Sequence, residues 1–90
     1  MVDPSMLDFR RELDALAALR DALRLAGPLF PAEPRAALQQ LDRTWQQAEA
    51  RYQELRARTT EDAQLRRELT RLVTDLREGY AALARRLDVR

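Results

Sequence analysis

The chain has no histidine and no cysteine, and Ser5 is its one serine. Without them no Ser-His or Cys-His pair can be assembled for nucleophilic catalysis. Disulfides and thiolate metal sites are excluded for the same reason. Only two glycines occur, Gly27 and Gly79, far apart in the chain, so there is no glycine-rich loop to cradle a phosphate. Isoleucine is missing and valine scarce, while leucine and alanine abound. That is the composition of helices, not of sheets. No apolar run approaches the roughly 18 to 20 residues a membrane span needs, and the first residues, MVDPSMLDFRRE, are acidic and polar where a signal peptide is basic and then apolar. The expectation is a cytoplasmic protein. Lysine is also absent; all 16 basic residues are arginine, which points to a GC-rich, bacterial source.

What is present is charge in near balance and a set of regular apolar stripes. The 16 arginines oppose 15 acids for a net charge of +1. Residues 1–34 sum to −2, residues 35–62 to zero and residues 63–90 to +3. At 90 residues the chain is one domain, 1–90, with a thin core that leaves little room for an enclosed pocket.

The stripes predict three helices, about 4–26, 32–58 and 60–88. Asp3 and Pro4, or Ser5 with Asp8, supply the start of the first. Its core stripe is Met6, Phe9, Leu13, Leu16, Leu19 and Leu23, at three- and four-residue steps. Gly27, expected as a left-handed turn residue, and Pro28 end it. The segment LAGPLFPAEPRA, residues 25–36, then carries three of the four prolines, and proline is tolerated only in a helix's first turn, so the second helix begins between Pro31 and Pro34. Leu38, Leu41, Trp45, Ala48, Tyr52, Leu55 and Thr59 follow an unbroken heptad spacing. Around residue 60 the stripe lapses, and Thr59 with Asp62, or Thr60 alone, reads as a cap at a tight turn. A single helix over 34–88 is the competing reading there. The third stripe is Leu65, Leu69, Leu72, Leu76, Tyr80, Leu83 and Leu87, averaging about 3.67 residues per turn, so it does not match the helix 2 seam along its whole length. Gly79 interrupts this helix at a cost of about 1 kcal/mol relative to alanine; near the Leu41–Trp45 layer it gives a helix 2 side chain room to approach.

Three helices of similar length with short connections define an all-α, up-down-up three-helix bundle with coiled-coil-like packing. The alternative is a long helical hairpin whose core is completed by dimerisation. In outline the bundle resembles a spectrin-type repeat, a likeness of architecture without a shared motif.

The residues left for function are few. Trp45, Tyr52 and Tyr80 fall on core stripes and fill the bundle. Every core-stripe position except Thr59 is apolar, so no carboxylates point inward to bind a metal; catalysis, cofactor binding and a small-molecule substrate are not expected. On the first helix, Leu7, Ala18 and Leu25 lie within about 20° of one another at 100° per residue, opposite the core stripe, with Ala22 and Ala15 beside them and Arg11, Asp14 and Asp21 at the border. A wall of a monomeric bundle needs no such second strip, so it is a candidate surface for a protein partner or a second copy. Leu29 and Phe30 either plug the end of the bundle or project as a docking knob. Arg66, Arg67, Arg71, Arg77, Arg85 and Arg86 raise the alternative of nucleic-acid binding, but Glu68, Asp75 and Glu78 are interleaved with them. The sequence therefore favours a non-enzymatic interaction module, an adaptor, assembly subunit or chaperone-like bundle, with a homodimer as one form.

Overall fold

A computed structural model describes residues 4–58 and 62–86, and side chains from residue 8 onward. The expectations on Asp3, Thr59, Thr60 and Leu87 therefore lie outside the described residues, and those on the side chains of Ser5, Met6 and Leu7 outside the described side chains. Helix α1 spans Pro4–Ala26, α2 Ala32–Ala57 and α3 Ala63–Arg86, with a short 3-10 turn at Gly27–Leu29 between the first two. The three pack as an all-α, up-down-up bundle, a rod of 45 × 20 × 17 Å.

The proline-rich connection is explained residue by residue. Pro28 sits in the first turn of the 3-10 segment, which closes with Phe30 N–H donating to the Gly27 carbonyl at 2.9 Å. Pro31 precedes α2 in extended backbone and its carbonyl accepts the Arg35 N–H at 3.1 Å, while Pro34, whose missing N–H costs nothing in a first turn, is buried. Gly27 corrects one expectation. It is not a left-handed cap but opens the 3-10 turn, buried with its Cα side toward Leu38.

At the second connection α2 ends at Ala57, and Arg58 is extended. Asp62 then caps α3, its Oδ1 accepting the Leu65 N–H at 3.0 Å. Asp62 is thus itself the capping residue rather than the third member of a box begun at Thr59. Two helices, not one, occupy the second half of the chain.

The core is continuous and apolar. Phe9, Leu13, Leu16 and Leu23 come from α1; Leu38, Trp45, Ala48, Tyr52 and Leu55 from α2; Leu65, Leu69, Val73, Leu76, Tyr80 and Leu83 from α3. Two seams differ from the sequence reading. On α1, Leu19 is only half-buried, and Arg20 shares its place on the inner side. On α3, Val73 is almost fully buried and Leu72 half-buried. Run through Val73, the stripe 69-73-76-80-83 alternates by four and three like that of α2, and the expected mismatch disappears over this stretch. The face that α3 turns to the core thus runs through Val73 rather than Leu72. Gly79 meets the sequence reading: the Leu41 side chain of α2 lies directly over it, and a Cβ built there would overlap Cδ2 of Leu41.

Candidate interaction surface

Core packing fixes how α1 is turned. Phe9, Leu13, Leu16 and Leu23 point inward, so at 100° per residue the opposite arc must face solvent. Arg11, Asp14, Ala15, Ala18, Asp21, Ala22 and Leu25 are all exposed on that arc. Leu25 is 85 % exposed and Leu29, four residues further on, 88 %; no other large apolar side chain among the described residues is as bare. Isolated exposed leucines are ordinary. Here one stands in the last turn of α1, in line with its strip of alanines, and the other in the 3-10 turn that follows.

Leu29 and Phe30 are separated by the structure. Phe30 is buried in the core at 7 % exposure, its carbonyl accepting from Arg35 Nη2 at 2.9 Å, so it plugs the bundle end and offers nothing to a partner. Leu29 is exposed in the 3-10 turn, 88 % accessible. Leu7 lies outside the described side chains.

The charges bordering the strip are unevenly satisfied. Arg10 Nε pairs with Asp14 Oδ1 at 3.4 Å on the helix surface. Asp21 has only a 3.9 Å contact with Arg20, which prefers Asp42 on α2 at 3.0 Å. Arg11 makes no ion pair among the described residues. Pairs this exposed contribute little to stability.

The Arg20–Asp42 pair is different, being half-buried, with the guanidinium carbon 5.4 Å from the centre of the Trp45 ring. This tie between α1 and α2 was missed in the sequence. An arginine at a stripe position reads as surface unless a carboxylate and an aromatic on the facing helix are known to meet it. Beside it Tyr80 is fully buried, and its hydroxyl has no hydrogen-bond partner among the described residues. Burial, and secondarily the Asp42 charge, push the Tyr80 hydroxyl up to about 12, against the opposing pull of Arg20 and Arg24.

The six arginines of α3 do not converge. Arg77 pairs with Glu12 of α1 at 3.2 Å, Arg86 with Glu33 of α2 at 3.0 Å, and Arg66 is half-buried. Arg71 lines a polar cleft of about 480 Å³ between α2 and α3, where Arg51 Nε pairs with Glu68 Oε2 at 3.5 Å and Asp75 is a further lining residue. Arg67 and Arg85 are exposed. Among the described residues no three acidic side chains gather closely enough to hold a metal ion, and no helix is long and apolar enough to cross a membrane.

Comparison with known proteins finds no family model, no curated protein and no solved structure that matches the chain.

Proposed function

We propose that this protein is a non-enzymatic interaction module, an adaptor, assembly subunit or chaperone-like bundle acting in the bacterial cytoplasm, and that the outer face of α1 is its contact surface. The observation that carries the reading is the exposure of Leu25 in line with Ala18 and Ala22, on a helix whose opposite face already fills the core, with Leu29 exposed in the turn that follows. Apolar surface that the fold does not need is retained most economically where another protein covers it. The composition supports the same conclusion, because histidine, cysteine and a usable serine are missing. Nucleic-acid binding by Arg66, Arg67, Arg71, Arg77, Arg85 and Arg86 is the weaker alternative. Phosphate recognition needs cations gathered on one face, and here Arg77 and Arg86 are drawn toward α1 and α2 by Glu12 and Glu33.

A photo-crosslinking amino acid at position 18, introduced in the source organism, tests the reading. Protein adducts, whether with other proteins or with a second copy, that are reduced at least fivefold by Leu25→Glu are expected. Absence of any protein adduct from this face overturns it.

A further inference from the structure

Resting on that reading, we infer that the outer face of α1 pairs with the same face of a second copy, antiparallel, about a two-fold axis passing close to residue 16. The outward line of α1 runs through positions 7, 11, 14, 18, 21 and 25, alternating steps of four and three, which is the spacing of a helix–helix seam. Read in order the line is Leu, Arg, Asp, Ala, Asp, Leu. Reversed about its midpoint, 25 falls on 7, 21 on 11 and 18 on 14.

That reversal places the one cation of the line, Arg11, opposite the second copy's Asp21, and by symmetry it does so twice. The ends, Leu25 and the leucine at position 7, fall on each other; the latter is placed by register alone. Asp14 meets Ala18, its charge already answered by its own Arg10 at 3.4 Å. A parallel pair would set Arg11 on Arg11, Asp14 on Asp14 and Asp21 on Asp21, three like-charge layers that destabilise. Charge order thus selects one orientation and one register. It also accounts for the two groups that the fold leaves over, since Arg11 lacks an ion pair among the described residues and Asp21 has only a 3.9 Å contact.

The flanks fit the same geometry. A two-fold axis keeps each flank against the same flank of the copy, so Ala15, beside the midpoint, meets its own counterpart, and Ala22 borders it. Small side chains there let two helices approach toward the close end of the 8 to 10 Å range of helix packing. The other flank brings Arg24 toward the second copy's Arg10, with Asp14 between them. One helix face is a small interface, of the weak and reversible class, so the pair forms in the micromolar range and dissociates on dilution.

The chain has no cysteine of its own, and single cysteines at these exposed positions therefore report the geometry without disturbing the core. Ala15→Cys is expected to give a disulfide-linked dimer on mild oxidation. Ala22→Cys is not, because antiparallel pairing separates the two copies of position 22 by roughly 20 Å along the axis at 1.5 Å per residue. Sedimentation velocity from about 1 µM to 1 mM is the second readout, with circular dichroism to verify that each variant is folded. Arg11→Asp and Asp21→Arg should each raise the dissociation constant at least tenfold, and the double variant should return it to within about threefold of the wild type. A wild-type monomer throughout that range, crosslinking of position 22 as ready as that of position 15, or single reversals without effect would each overturn the pairing. If position 18 still crosslinks to other proteins in cells in that case, the interaction-module reading stands and only the self-pairing falls.

Discussion

The α2–α3 hairpin and α1 are built from the same residue types but hold their places differently. α2 and α3 pack closely against each other, with Leu41 over Gly79. α1 packs more loosely on both, and less on α2 than on α3. It leaves a cleft of about 160 Å³ against α2, lined by Leu13, Ala17, Trp45 and Tyr52 with Asp14 and Glu49 at hand. Among the described residues its polar ties to α2 and α3 are Arg20 to Asp42 and Glu12 to Arg77. One half of the molecule is thus an interlocked scaffold. The other is a helix held by a single apolar face, which leaves its second face available for contact.

The sharpest way to break this comparison is to remove equal volumes from the two halves. Leu76 of α3 is fully buried, whereas Leu13 of α1 borders the cleft. Leucine-to-alanine changes cost about 2 to 5 kcal/mol, depending on how well the site collapses around the loss. Leu76→Ala should fall in the upper half of that range and leave the chain close to unfolding at room temperature. Leu13→Ala should cost about 2 kcal/mol, because its neighbourhood is already open. Urea titrations followed by circular dichroism measure both, and an equal or larger loss at Leu13 would mean that α1 is as integral to the scaffold as α3.

Tyr80 probes the junction of the two halves. It belongs to α3, while the charges acting on it come from Asp42 on α2 and from Arg20, Arg24 and Asp21 on α1. Its folded-state value of about 12 lies above the ordinary 10, so the folded state holds the proton more tightly than the unfolded chain. Stability is therefore unaffected below about pH 10 and falls as the pH rises from 10 toward 12, by an order of 2 to 3 kcal/mol at most. Tyr80→Phe should abolish this alkaline loss. At neutral pH it should also stabilise the fold by about 1 kcal/mol, because a buried hydroxyl without a partner is removed. Urea midpoints at pH 8 and pH 11.5 for the two proteins settle the matter; a neutral-pH loss above 1 kcal/mol would show that the hydroxyl is satisfied after all.

Much of this arrangement is legible in the sequence because it depends on local chemistry. Pro28, Pro31 and Pro34 mark the first connection, and the step pattern from Leu38 to Leu55 marks the inner face of α2. The exposed strip of α1 follows by elimination once its inner stripe is known. What resisted reading depends on partners distant in the chain. Val73 is buried because α3 faces two helices at once, and a stripe drawn for one partner passes through Leu72 instead. Arg20 is held by Asp42, 22 residues away, and by the ring of Trp45. Phe30 and Leu29 are adjacent and similarly apolar, and only the turn geometry sends one into the core and the other outward.

The smallest effect sharpens the claim that α2 and α3 interlock. Two terms oppose each other at Gly79. Replacing it by alanine removes a helix-interior glycine and gains about 1 kcal/mol. The new methyl group must also displace Leu41, whose half-buried side chain can yield at its tip, and such overpacking costs about 1 to 3 kcal/mol. Gly79→Ala should accordingly destabilise by no more than about 1 kcal/mol. Leu41→Ala alone should cost about 2 kcal/mol, toward the mild end of the large-to-small range because the residue is only half-buried. In the double variant the added methyl occupies space vacated by Leu41 and the helix-propensity gain is recovered. The pair should therefore be more stable than the sum of the single changes by at least 1 kcal/mol. Strict additivity would mean that Leu41 and Gly79 do not interlock, and the close packing of α2 on α3 would then rest on the apolar core layers alone.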